Sequence, residues 1–194
     1  MNTPNLTLAD YLLPSDRIWR LTLSLGLAVF GSLLLWVSAK IQVPFYPVPL
    51  TLQSLAVLGL AAAYGWRLGV ATILLYLAEG ALNLPVFAGT PEKGLGIAYM
   101  VGPTGGYLLG FVLAAALVGW LAQKGADRNA FRMFGAMLLG AILIYLPGIP
   151  WLATFVGFEK AVILGFTPFI LGDLLKAAHA AMLFPAAWLL LGRR

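Results

Sequence analysis

"FILGDLLKAAHAAMLF", residues 169–184, has the composition of a membrane-spanning helix, yet it holds Asp173, Lys176 and His179 within two turns. Asp173 and Lys176 are three residues apart and so share one helix face. A charge inside a span costs several kcal/mol on insertion scales and marks function by default. Two readings compete: a structural ion pair whose charges cancel, or a ligand site. In a ligand site, Lys176 holds an anionic or carbonyl group and Asp173 accepts hydrogen bonds from ligand N–H groups. The ligand site is preferred, because removing both charges is the easier way to stabilise such a helix. His179 lies near the same face, one turn deeper, where a bond to a neighbouring carbonyl is the commoner role. The sequence has no second histidine and no cysteine, which argues against a metal site and excludes a disulfide framework.

The rest of the chain gives this helix its setting. Of 194 residues, 61% are hydrophobic and only 10% are charged, with a mean hydropathy of +0.94. A soluble domain has about 45–50% apolar and about 25% charged residues. The fold class expected is therefore all-α, a polytopic membrane protein of six transmembrane helices, forming one integral membrane domain over residues 1–194. Residues 1–17 are read as a cytoplasmic tail. The spans are expected at about 18–39, 49–64, 70–82, 107–121, 133–146 and 168–191. Three prolines within residues 44–49 forbid regular helix after span 1. Residues 83–106 form a long Gly- and Pro-rich stretch that also holds Phe87, Tyr99 and Met100. A loop of that length is usually functional or disordered, and its aromatic content argues for a structured lid on the outside. Residues 122–132 are read as a cytoplasmic loop. Pro147 and Pro150 end span 5, and residues 151–166 form an interfacial segment.

Cation placement orients the bundle. One face collects Arg17, Arg20, Arg67, Lys124, Arg128, Arg132, Arg193 and Arg194; the other collects Lys40, Lys93 and Lys160. The positive-inside rule then puts both termini in the cytoplasm and the 83–106 loop outside. The net charge of +5 serves topology, not nucleic-acid binding.

Further candidates surround an outward-facing site. Glu79 lies near the outer end of span 3, and Asn83 follows one turn later. Gln53 opens span 2. Phe87 and Tyr99, with Phe45 and Tyr46, supply aromatic walls or interface anchors. Ala28 and Ser32 in span 1 are small residues at four-residue spacing, a pattern that lets helices approach closely, within the chain or with a membrane partner. No Walker A motif is present, since "GPTGGYLLG" lacks the terminal Lys-Ser/Thr. No nucleophile elbow, zinc-protease motif or internal repeat appears, and nothing argues for an enzyme or a cofactor.

"VPFYPVPLTLQ" (43–53), "LPVFAG" (84–89), "GPTGGYLLGF" (102–111) and "GDLLK" (172–176) together resemble the BioY family, the biotin-binding S components of energy-coupling factor (ECF) transporters. The resemblance covers residues 43–176. It implies six helices, capture of biotin from outside the cell membrane of a prokaryote, and work with a membrane T subunit and two ATPase subunits. It carries functional roles onto Asp173 and Lys176 and places Asn83 where a ureido-binding side chain is expected. It also implies a docking face for the T subunit, read here as Ala28 and Ser32. "AGTPEKG" (88–94) is less glycine-rich than the family's usual pattern. A self-sufficient secondary transporter, with Glu79, Asp173 and His179 as a proton path, is the alternative. An intramembrane enzyme using Asp173 and His179 is the third reading.

Overall fold

The computed structural model describes residues 6–43 and 46–192. Phe45, Arg193 and Arg194 lie outside the described residues. Eight α-helices run in chain order among them: α1 (Leu8–Leu12), α2 (Arg17–Lys40), α3 (Gln53–Ala81), α4 (Gly96–Met100), α5 (Gly105–Gln123), α6 (Ala130–Val156), α7 (Phe158–Gly165) and α8 (Ile170–Leu191). Between α2 and α3, β1 (Gln42–Val43) pairs antiparallel with β2 (Leu50–Thr51), with Gln42 opposite Thr51. This short ladder closes the proline-rich turn that the sequence marks as non-helical.

Five stretches are long and apolar enough to cross a membrane: α2, α3, α5, α6 and the run from Phe158 to Leu191. The second of these is a hairpin. Gly65 has φ +77° and ψ 173°, a conformation outside the helical region and open essentially to glycine alone. Four residues to either side, a Cβ on Gly69 would lie 3.1 Å from the Ala61 Cα. Farther out, Gln53 Nε2 donates to the Tyr76 hydroxyl at 2.6 Å. The limbs 53–64 and 66–81 therefore run antiparallel, and the bundle has six crossing segments, in agreement with the sequence reading.

At one end of the bundle, α1, the Gly65 corner, the turn Ala126–Arg128 and the end of α8 converge. Thr7 caps α1 by a reciprocal box with Asp10, and its methyl group packs beside Gly65. Arg128 Nη2 donates to the Leu6 carbonyl at 3.3 Å, and Trp188 Nε1 donates to Asp127 Oδ2 at 2.6 Å. Asp127 is fully buried and its Oδ1 has no partner among the described residues. Burial pushes its carboxyl above the usual range, against the bond from Trp188 and the charge of Arg128. The β ladder, residues 82–104 and α7 occupy the opposite end.

Beside the α3 limbs, which begin at 53 and 66 and not at 49 and 70, two boundaries differ from the sequence expectation. First, α6 does not stop before Pro147; it continues through Pro147 and Pro150 to Val156. Each proline removes one backbone donor, which a packed membrane helix tolerates. Here α5 lies against this stretch: a Cβ on Gly106 would lie 2.5 Å from the Pro147 carbonyl, and one on Gly110 would lie 2.6 Å from the Ile144 Cα. Second, Thr167 and Pro168 form a 3-10 turn with Phe169, and α8 begins at Ile170.

The face of α2 expected to receive a partner is covered from within. Ala28 and Ser32 are buried, Ser32 completely. Ser32 Oγ donates to Glu79 Oε1 at 2.9 Å, and the Tyr64 hydroxyl donates to the Leu27 carbonyl at 3.0 Å. Gly31, between them, packs so closely on α3 that a Cβ there would lie 2.6 Å from Thr72 Cγ2. Small residues at this spacing serve close approach of helices, and here the helix that approaches is α3 of the same chain. The docking assignment of Ala28 and Ser32 is corrected accordingly.

Asn83 closes the C-terminus of α3. It follows the C-cap Leu82 of α3 with φ +69°. Its N–H donates to the Gly80 carbonyl at 3.1 Å, and the Leu84 N–H donates to the Glu79 carbonyl at 3.2 Å. This is a Schellman cap, and asparagine is the common non-glycine choice at its left-handed position. Asn83→Gly is expected to keep the melting temperature in detergent or raise it. Asn83→Val is expected to lower it, at a cost of about 1–2 kcal/mol.

Candidate ligand-binding site

The start of α3 sits at the loop-bearing end of the bundle, facing α4, α5 and α6. Between them lies a cavity of about 60 Å³. A water needs roughly 10–15 Å³ of such space, so the cavity has room for only a few waters. Thr51, Gln53 and Ser54 line one side, Tyr99 and Thr104 another, and Tyr107 and Tyr145 a third. Leu108, Phe111, Ile144 and Phe169 supply the apolar surface. A small set of polar groups in a mostly apolar wall is the usual make-up of a small-molecule site.

Asp173 and Lys176 stand one side chain behind this wall. They form an ion pair, Lys176 Nζ to Asp173 Oδ1, at 3.1 Å, with side chains only 11–14% exposed. Lys176 Nζ also donates to Ser54 Oγ at 2.8 Å and to the Thr51 carbonyl at 3.2 Å. Ser54 Oγ reaches Asp173 Oδ1 at 3.3 Å, and the Tyr145 hydroxyl donates to Asp173 Oδ2. Thr51, Ser54 and Tyr145 thus face the cavity on one side and the charge pair on the other. The sequence reading places Asp173 and Lys176 on one face, and the structure agrees; it does not anticipate that Ser54 and Tyr145 would stand between them and the space. Serine and tyrosine in apolar segments carry too little signal to be picked out by composition alone.

Gln53 is buried and lines the cavity directly. Its Nε2 is committed to Tyr76, whose hydroxyl donates onward to the Val86 carbonyl at 2.9 Å. The amide carbonyl of Gln53 makes no hydrogen bond among the described residues and remains available as an acceptor. Tyr99 lines the cavity too, and its hydroxyl donates to the Ala88 carbonyl at 2.9 Å. Burial pushes that hydroxyl above the ordinary tyrosine range, so it stays a donor. Phe87 is fully buried but does not reach the cavity; it stacks behind Tyr99 at 4.8 Å between ring centroids and meets Tyr76 edge-on at 5.4 Å.

The remaining candidates lie elsewhere. Glu79 faces α2 through Ser32, Asn83 is exposed at its cap, and Tyr46 is 81% exposed. His179 is exposed, and its Nδ1 lies 2.7 Å from the Leu175 carbonyl. Glu79, Asp173 and His179 are each bonded to a different neighbour, Ser32, Lys176 and the Leu175 carbonyl. Lys40 adds a contact that the sequence reading does not anticipate. From the end of α2, its Nζ donates to the Phe87 carbonyl at 3.2 Å, the Thr90 carbonyl at 2.9 Å and Thr90 Oγ1 at 3.0 Å. It thereby pins the segment from which Ala88 reaches the cavity wall.

Six apolar helical segments around a cavity near one end, with an ion pair set behind its wall, define a polytopic membrane protein. The chain belongs to the BioY family, whose sequence pattern matches residues 11–193. It is 45% identical over 147 residues to the probable biotin transporter BioY of Pyrococcus horikoshii, covering 76% of this chain and 85% of that one. Over 156 residues it is 40% identical to the biotin transporter BioY of Thermotoga maritima, covering 80% and 89%. The fold matches the crystal structure of an S-component for biotin from an ECF-type ABC transporter, with a TM-score of 0.75 over 90% of this chain and 94% of that one, at 23% identity.

Proposed function

We propose that this chain is the membrane-embedded biotin-binding subunit of an uptake system energised by a separate ECF module of a T subunit and two ATPases. The observation that carries the reading is the Asp173–Lys176 pair linked through Ser54 and Tyr145 to an aromatic-lined cavity. Biotin has an apolar bicyclic body, a ureido group with two donors and one acceptor, and a carboxylate tail. Asp173 and the Gln53 carbonyl supply acceptors for the ureido N–H groups. Lys176 supplies a cation for the ureido carbonyl or the carboxylate. Tyr99, backed by Phe87, supplies a flat wall for the ring system.

The cavity is smaller than such a ligand needs, so binding requires the loop end to open and Ser54 or Tyr145 to exchange a bond to the pair for a bond to biotin. BioY proteins are transporter subunits, not enzymes. In this reading the termini are cytoplasmic and the 83–106 loop is outside, an orientation supported by the bias of cations to one face. Titration calorimetry of the detergent-purified chain is expected to show one-to-one, tight biotin binding. A folded protein that gives no heat with biotin would remove this reading. A proton path through Glu79, Asp173 and His179 gains no support, since these groups are bonded in separate places.

A further inference from the structure

The corner at Gly65 brings two tryptophans to one groove. A Cβ on Gly119 of α5 would lie 2.5 Å from the Trp66 backbone nitrogen, so α5 presses directly on the corner. Trp66 and Trp120 then border a shallow, open groove on the outer surface of the bundle, floored by Leu113, Ala116 and Leu117 of α5 and by Leu143 of α6. The groove runs along α5 for about two turns, roughly 10 Å. Each indole carries a cation over its ring. The Arg67 guanidinium lies 5.3 Å from the Trp66 ring and the Lys124 ammonium 5.8 Å from the Trp120 ring. Both cations are exposed, and neither is ion-paired among the described residues, where the salt bridges join Arg20 to Asp10 and Lys176 to Asp173.

An apolar groove on the outer surface of a membrane bundle, with an exposed cation stacked on each of the two indoles that border it, matches a single kind of occupant. We infer that this groove is a binding site for an anionic phospholipid. Its phosphate sits between Arg67 and Lys124, and an acyl chain lies along Leu113, Ala116 and Leu117. Indoles favour the headgroup level, where their N–H stays wet and their rings face hydrocarbon. Basic pockets between membrane helices are a recurrent way of holding acidic headgroups. A zwitterionic lipid satisfies the groove but presents its own ammonium group to the two cations.

The test is native mass spectrometry of the detergent-purified full chain. Palmitoyl-oleoyl phosphatidylglycerol and palmitoyl-oleoyl phosphatidylcholine are added in equal amounts. The wild type is expected to retain phosphatidylglycerol at least fivefold over phosphatidylcholine. Arg67→Gln with Lys124→Gln is expected to bring that ratio close to one, with an unchanged gel-filtration profile. Ala116→Trp, which fills the groove, is expected to lower retention of both lipids. Free glycerol phosphate in excess is expected not to displace the lipid, since it lacks the acyl chain. Equal retention of the two lipids by the wild type overturns the proposal, as does a preference that survives in the double variant. Displacement by glycerol phosphate alone overturns the acyl-chain part of it. None of these readouts involves biotin, so the outcome is independent of the transport reading.

Discussion

Asp173→Asn and Lys176→Ala are each expected to raise the biotin dissociation constant by about a hundredfold or more, roughly 2.7 kcal/mol. Hydrogen bonds to charged groups contribute about 1.5–3 kcal/mol each, and each variant removes at least one from the ligand. The two substitutions also disturb the resting protein. Lys176→Ala leaves the Asp173 carboxylate facing only Ser54 and Tyr145 in an otherwise apolar setting. Loss of one member of a buried pair costs about 3–5 kcal/mol, so the melting temperature is expected to fall. The neutral pair Asp173→Asn with Lys176→Gln separates the two effects. It is expected to recover most of the stability and none of the affinity. A neutral pair that binds biotin like the wild type would reduce Asp173 and Lys176 to a structural ion pair.

Gly65→Ala is expected to be the most damaging single-carbon change at the corner of α3. The backbone there, φ +77° and ψ 173°, is strained for any residue with a Cβ, at about 1–3 kcal/mol. The added carbon would also lie 2.8 Å from Gln123 Nε2 and 3.0 Å from Thr7 Cγ2, the groups that seal this end of the bundle. The folded yield from membranes and the melting temperature should both drop. Gly65→Asn should not rescue them, because ψ here lies outside the left-handed helical region that asparagine tolerates. Gly59→Ala is the matched control. It sits in the preceding limb with nothing within 4 Å of its Cβ position, so it should be neutral or stabilising. A Gly65→Ala protein as stable as the control would rule out this corner.

Much of this was legible in the sequence, and the reasons differ by element. Spans announce themselves through apolar runs, so α2, α5 and α8 fall within a few residues of their expected ends. The break between the spans expected at 49–64 and 70–82 was legible because residues 65–69, "GWRLG", set a tryptophan, a cation and flanking glycines between two apolar runs. The continuation of α6 past Pro147 was not legible, because it depends on how Gly106 and Gly110 of α5 pack against it. Asp173 and Lys176 stood out because charge in a span is rare. Ser54, Thr51 and Tyr145 did not, because their placement depends on which way three separate helices turn. The small residues Ala28 and Ser32 signalled close helix contact correctly and gave no information about which helix would make it. Asn83 drew attention as an amide at the mouth of the bundle, but a left-handed cap needs the same residue type.

The Gly65 corner also bears on how the chain enters a membrane during synthesis. Residues 53–64 reach only about 18 Å and residues 66–81 about 24 Å along their axes, against about 30 Å of hydrocarbon. Neither limb alone is long enough to be held as a stable span. Gln53 would moreover sit in lipid with an unsatisfied amide until Tyr76, from the second limb, arrives beside it. The two limbs therefore have to be integrated as one unit. Until the ribosome has delivered the second limb, α2 is a span the bilayer can hold and residues 53–64 are not.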